Sequence, residues 1–321
     1  MSDYIPPRWL RGGHAQTIYP LLIKPDAPAF HRERWDTPDG DFIDLDWKDA
    51  QGSDDDNAPL FVLFHGLEGN SDSHYARSLM RVISEQGWTG VVIHFRGCSG
   101  ETNRLPRAYH SGDSEEIDWI LRRLRKDHPD RPIMAAGVSL GGNTLLKWLG
   151  EREDEVQHVI SAAAAISTPF DLSICGHQLA RGFNRCYTHH FLATLKPASL
   201  EKHRRFPSLF DARRVRSART LYDFDDAVTA PLHGFKGADD YWFRASSKPW
   251  LGGIRVPTLL VNAQNDPFLP AHALPLPRQV SPAVRLDFPR EGGHVGFVSG
   301  NLPGHLDWMP KRLLRFFATG E

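Results

Sequence analysis

Ser139 stands between two glycines in the run Gly137-Val138-Ser139-Leu140-Gly141, where an apolar stretch gives way to a helical pattern. A serine hydroxyl is a weak nucleophile until a base takes its proton and an acid orients that base. Glycines two positions before and after it let neighbouring backbone pass where side chains would collide, as a sharp strand-to-helix turn requires. The helix that follows aims its N-terminus at the hydroxyl and favours negative charge there. A helix-capping serine after a glycine turn would look the same locally, so the partners decide. Asp266 lies in Asn262-Ala263-Gln264-Asn265-Asp266-Pro267, just after an apolar run at 257–261. His294 lies in Pro289-Arg290-Glu291-Gly292-Gly293-His294, just after a run at 284–288. The chain order Ser, Asp, His, each at the carboxyl end of a strand, is that of a hydrolytic triad on a parallel sheet. In that arrangement Ser139 attacks an acyl carbon, His294 moves the proton and Asp266 fixes the imidazole. The expected oxyanion donors are the backbone N–H groups of Leu140 and of Leu67, the latter in the loop His65-Gly66-Leu67-Glu68-Gly69. His65 reads as a brace for that loop. Asn265 carries no charge, Asp287 falls inside a strand and His305 opens the last helix, so they rank lower.

The elements that must position these residues are short apolar strands alternating with helices. Buried strands are expected at 60–64, 90–95, 132–136 and 158–164, and helices at 74–86, 113–127 and 142–150. This alternation predicts an α/β fold: a mostly parallel central sheet with helices on both faces. The stretch 42–47 alternates as an antiparallel edge strand would. After Pro169 the pattern breaks, and strands resume at 257–261 and 284–288. The simplest organisation is a hydrolase core formed by 1–168 and 251–321, carrying a mostly helical cap inserted at 169–250. A last helix is expected at 305–318, with Pro310 placed to kink it. The cap holds Phe183, Tyr187, Phe191, Phe206, Phe210, Tyr222, Phe224, Phe235, Tyr241, Trp242, Phe243 and Trp250. So many rings predict that part of the set lines an apolar acyl tunnel over the carboxyl-end face of the sheet.

Composition sets the frame. The 321 residues allow one large core plus an insertion, and a formal net charge of -1 gives no general attraction for nucleic acid or an anionic membrane. No nucleic-acid partner is expected. Neither a secretory signal peptide nor a transmembrane run is expected, and the default location is the cytoplasm. Three cysteines without metal-type spacing fit neither a disulfide framework nor a zinc site. His189-His190 lacks a completing ligand set, and neither metal nor cofactor is expected. Cys98 shows no reactive-thiol surroundings in the sequence. Asp54-Asp55-Asp56-Asn57 reads as a solvated turn, and the basic segment 202–220 as a solvated helical face.

Longer blocks carry a family likeness. They are His14-Ala15-Gln16-Thr17, HGLEGNSDSHYARSLM at 65–80, HFRGCSGETNR at 94–104, YHSGDSEEI at 109–117 and GVSLGGN at 137–143. They continue with FDDAVTAPLHGFKGADDYWFRAS at 224–246, VPTLLVNAQNDPF at 256–268 and GGHVGF at 292–297. With these blocks the chain resembles the YheT-like branch of the α/β-hydrolase superfamily over nearly its whole length. Trp242 departs from the tyrosine that similar proteins tend to carry. The resemblance implies a serine hydrolase of acyl esters, short- to medium-chain or lipid-like, with its triad on Ser139, Asp266 and His294. Some relatives pass the acyl group to alcohols, so an acyltransferase using the same acyl-enzyme stays open. A non-catalytic binding module is the other alternative, and a missing triad residue would favour it. The roles of the His14–Thr17 and Arg96-Gly97-Cys98 blocks and the oligomeric state are not legible. For His14, Gln16 and Thr17 the preferred reading is that they pin the N-terminal arm over the core.

Overall fold

The computed structural model describes residues 3–23, 25–52 and 57–321, so the acidic turn at Asp54–Asp56 lies outside the described residues. Eight strands form one sheet: β1 (His31–Asp36), β2 (Phe42–Lys48), β3 (Leu60–Phe64), β4 (Thr89–His94), β5 (Ile133–Val138), β6 (Ala162–Ile166), β7 (Thr258–Val261) and β8 (Val284–Asp287). Their spatial order is β1-β2-β4-β3-β5-β6-β7-β8. The strands from β3 to β8 run parallel, while β2 is antiparallel to both β1 and β4. Strands such as Leu60–Phe64 are apolar at every position because helices cover both faces, and every one of its side chains is buried. One face packs under α3 (Ser114–Asp127) and α4 (Leu140–Arg152), the other under α2 (His74–Glu85) and the C-terminal helix Trp308–Thr319.

β1 has no apolar alternation, and Trp35 alone among its residues is buried. It is held instead by cross-strand ion pairs: Arg32 with Asp46 and Arg34 with Asp44, both at 2.7 Å. The fourth buried strand begins at Ala162 rather than at 158. Val159 and Ile160 send their N–H groups back to Val156 O, closing a helical turn that takes them out of the sheet. The C-terminal helix starts at Trp308 and Pro310 sits in its first turn. There its missing N–H has no intrahelical partner to lose, so no kink follows.

Between β6 and β7 the chain folds into helices: α5 (Leu172–Leu179), α6 (Arg185–Arg205), α7 (Ala212–Ser217), α8 (Leu221–Phe224), α9 (Ala230–Leu232) and α10 (Ala238–Ala245). Two side-chain caps start α5 and α7, from Asp171 and Asp211. Lys202 departs from the solvated basic face expected for 202–220. It is buried and donates to Asn103 Oδ1 and Arg107 O, both at 2.8 Å, tying α6 to the loop after β4. Burial pushes its ammonium down to about 8. Before β1, the short helix α1 (Gly13–Ile18) runs into a 3₁₀ turn at Tyr19–Leu21 and lies against the loops after β7 and β8.

Candidate active site

β5 ends at Val138 and α4 begins at Leu140, so Ser139 alone makes the turn. It takes φ 52° and ψ -117°, a strained backbone for a non-glycine residue, costing on the order of 1–3 kcal/mol. The surroundings hold it there. Its N–H donates to Ile166 O at 2.8 Å, and a Cβ on Gly141 would strike Phe64 O. A Cβ on Gly137 would strike Gly141 O. The two glycines are thus required by close passage of backbone, as the spacing predicts.

Sheet order then brings the partners in. β7 lies beside β6 and β8 beside β7, and their carboxyl-end loops carry Asp266 and His294. His294 Nε2 is 3.1 Å from Ser139 Oγ, and His294 Nδ1 is 2.8 Å from Asp266 Oδ2. With the carboxylate accepting from Nδ1–H, Nε2 is left to accept the serine proton. Asp266 is almost wholly buried and accepts a second bond from the Phe268 N–H at 2.8 Å. The Phe268 ring stacks on the imidazole at 4.0 Å between centroids. The other side of Ser139 faces the loop after β3, which approaches so closely that a Cβ on Gly66 would lie 3.2 Å from Ser139 Cβ. Among the described residues the N–H groups of Leu67 and Leu140 donate to no protein acceptor. Glu68, next to Leu67, is held at φ 56° by Tyr109, whose hydroxyl accepts from its N–H at 2.9 Å and donates to its carboxylate at 2.8 Å.

His65 is fully buried. It bonds Gly66 O at 2.7 Å and accepts from the Phe95 N–H at 3.1 Å, and burial pushes it down to about 3. Both ring nitrogens are engaged: Nε2 ties the end of β3 to the residue after β4, and Nδ1 braces the loop of Leu67. Burial pushes the Cys98 thiol well above its usual range, which removes the thiolate a nucleophile needs. Arg96 is buried among Glu116, Asp39 and Asp41 and locks its loop to α3 and to β2's leading turn. Asp287 pairs with Arg312 at 2.6 Å, and His305 is exposed beside Asp307. Neither reaches Ser139. Among the described residues no cluster of three His, Cys, Asp or Glu side chains could hold a metal ion.

The sequence does not show that two residues of the N-terminal arm hold the loops of Asp266 and His294 together. Gln16 is fully buried, and its Oε1 accepts from Asn265 Nδ2 at 2.8 Å and from the Gly292 N–H at 2.9 Å. Asn265 Oδ1 accepts from the Gly293 N–H, and Thr17 Oγ1 accepts from the His294 N–H at 2.9 Å. The N-terminal arm therefore joins the loop of Asp266 to the loop of His294. Gln16 and Thr17 thus pin the arm over the core as expected, while His14 is exposed; their particular partners are not legible, since nothing local links position 16 to position 292. Thr17→Val removes the acceptor under His294 and leaves a buried N–H unpaired, a change of roughly 1–3 kcal/mol. The expected result is a fall in kcat of about tenfold with KM nearly unchanged, restored by Thr17→Ser. Steady-state kinetics on a soluble ester would check this, and wild-type kcat in Thr17→Val would show the bond to be structural only.

Ser139, Leu140, Leu67 and His294 open onto a cavity of about 210 Å³ roofed by the helices between β6 and β7. Of the twelve rings named above, Phe191, Phe210, Phe224, Tyr241 and Trp242 line it, together with Leu172, Leu179 and Leu195. Phe183 and Phe243 are exposed instead. Trp242 donates to Asp225 Oδ2 at 2.7 Å, and Asp225, pushed up to about 6 by burial, also accepts from Thr229. His110 and His233 lie 4.4 Å apart at the polar part of the wall, and burial pushes them down to about 4 and about 3.

A serine at a strained strand-to-helix turn, a parallel sheet and loops at its carboxyl edge define a class, and comparison with known proteins agrees. The family model for the α/β hydrolase fold matches residues 59–301, and the chain belongs to that family. It is 37% identical to "Putative esterase YheT" of Escherichia coli (strain K12), across 99% of this chain and 94% of that protein. It is 32% identical to human "Phospholipase ABHD3", across 98% of this chain and 78% of that one. Among solved structures, the Pyrococcus furiosus esterase PF2001 superposes with a TM-score of 0.58 at 17% identity, covering 90% of this chain and 91% of its own. That likeness concerns the fold.

Proposed function

We propose that the protein is a carboxylic-ester hydrolase working through an acyl-enzyme on Ser139. The observation that carries this reading is the hydrogen-bonded series Ser139–His294–Asp266 at the floor of a mainly apolar cavity, beside two uncommitted backbone N–H groups. His294 takes the Ser139 proton as Oγ attacks the acyl carbon. Asp266 holds the imidazolium that forms, and the N–H groups of Leu67 and Leu140 receive the oxyanion. His294 then returns the proton to the leaving alkoxide. Water, deprotonated by the same imidazole, releases the acid and restores Ser139. The names of the two sequence relatives, an esterase and a phospholipase, support an ester substrate.

Residues 169–250 act in this reading as a cap that selects the acyl group, because a triad does not choose its substrate and the walls around it do. The rings of Phe191, Phe210 and Phe224 would take the chain. Each methylene buried there contributes about 0.8 kcal/mol, or roughly three- to fourfold in kcat/KM. With p-nitrophenyl esters from acetate to palmitate, kept below their micelle concentrations, kcat/KM is expected to climb through the short chains and level off where the cavity ends. A flat profile, or a fall from acetate onward, would leave the cap with packing alone. The same assay with added alcohol, analysed for transferred ester, separates hydrolysis from acyl transfer.

A further inference from the structure

Among the described residues nine large hydrophobic side chains are exposed, and five of them gather where the arm's helix meets the Phe183 turn: Ile18, Leu21, Leu22, Phe183 and Leu302, with exposures from 39% to 73%. The grouping follows from the contacts of the arm. The rings of His14 and Phe183 lie 4.6 Å apart. Ile18 and Leu21 follow His14 at helical spacing of four and seven residues, along the helix and its 3₁₀ extension. Tyr19 donates to Pro303 O at 3.0 Å, which places Leu302 at the same edge. Scattered exposed leucines need no explanation, but an apolar cluster beside a site does.

Charge says what the cluster meets. Arg8 and Arg11 on the arm, and Arg181 and Arg185 on either side of Phe183, are exposed, and among the described residues none of the four forms an ion pair. Residues 4–25 and 172–200 contain no Asp or Glu at all, although the chain as a whole carries a net charge of -1. An apolar patch ringed by unpaired guanidinium groups fits a surface that offers both hydrocarbon and negative headgroups. The patch also adjoins the site. His14 bonds the Tyr187 hydroxyl at 3.1 Å, Tyr187 packs on Phe268, and Phe268 stacks on His294. Thr17, next to Ile18, holds the His294 backbone.

We infer that the N-terminal arm and the Arg181–Arg185 turn form a docking surface for an anionic lipid bilayer, bringing the His294 side of the site against it. This rests on the ester-hydrolase reading and deepens it, since the substrate would then be an ester presented at a membrane surface.

Vesicle co-sedimentation of the full chain tests it. Binding to phosphatidylglycerol vesicles is expected at low salt, at least tenfold weaker binding to phosphatidylcholine vesicles, and release by 0.5 M salt, roughly beyond the screening range of exposed charges. Leu21→Asp/Leu22→Asp and Arg181→Glu/Arg185→Glu should each weaken binding at least tenfold. Both should turn over a soluble short-chain ester at the wild-type rate, which also reports that they fold. Absence of binding, or binding that neither variant weakens, overturns the docking surface. So does a dimer in sedimentation velocity that Leu21→Asp/Leu22→Asp dissolves without any vesicle binding, because the patch then belongs to a second copy. Loss of soluble-ester turnover in the wild type would instead strike the ester-hydrolase reading, whatever the vesicles show.

Discussion

Ser139→Ala is expected to abolish both ester turnover and covalent labelling by a fluorophosphonate probe. Removing a triad nucleophile lowers kcat by roughly 10⁴–10⁶, because no acyl-enzyme can form and only the residual acceleration from oxyanion donors and binding remains. The substitution deletes one oxygen, and alanine must still adopt the strained turn that Gly137 and Gly141 make possible, so the fold should persist. The check is labelling mapped by peptide mass spectrometry together with a melting temperature. A probe adduct on another serine, in a protein that still hydrolyses esters after Ser139→Ala, would reassign the nucleophile.

His294→Ala should match that loss in turnover, and it should also suppress probe labelling of Ser139. Without a base, the hydroxyl attacks neither an ester nor a phosphonate at a useful rate. The informative contrast is His65→Ala. That histidine also stands near the site, but its two nitrogens are spent on Gly66 O and the Phe95 N–H. Its loss should lower the melting temperature by several degrees, since a buried N–H and a buried carbonyl lose their partner. Ser139 should still label in whatever fraction remains folded. Labelling that survives His294→Ala and disappears in a folded His65→Ala would reverse the two roles.

These expectations draw on different amounts of sequence. The run around Ser139 was legible because the requirement is local. A turn that tight needs small residues at fixed offsets, and the offsets are printed in the chain. Asp266 and His294 were legible through order, since one follows a short apolar run and the other an alternating run, Val284–Phe288, that both read as strands. Local pattern misled where two signals overlapped. Val159 and Ile160 are apolar and β-branched, yet their N–H groups close a turn and the strand starts at Ala162. Pro310 would kink a helix that began at 305, but the helix begins at Trp308 and holds the proline in its first turn. Lys202 was grouped with a solvated basic face, although it is buried on two acceptors about a hundred residues away in the chain.

By itself the sequence determined the alternation of strands and helices, hence an α/β sheet covered on both faces, and the residue types at its carboxyl edge. Periodicity and turn chemistry act over a few residues, so a single chain displays them. The tertiary structure decided which loops meet. Only the order β3-β5-β6-β7-β8 brings the loops of Leu67, Ser139, Asp266 and His294 to one edge. Only the return of the N-terminal arm across the sheet puts Gln16 on Gly292, 276 residues away, and Thr17 under His294. The twelve rings of the inserted helices are equivalent as sequence. Packing sorts them, sending Phe191 and Phe224 into the cavity and Phe183 into solvent. Burial and hydrogen-bond satisfaction are properties of the whole assembled surface, and no window of the chain carries them.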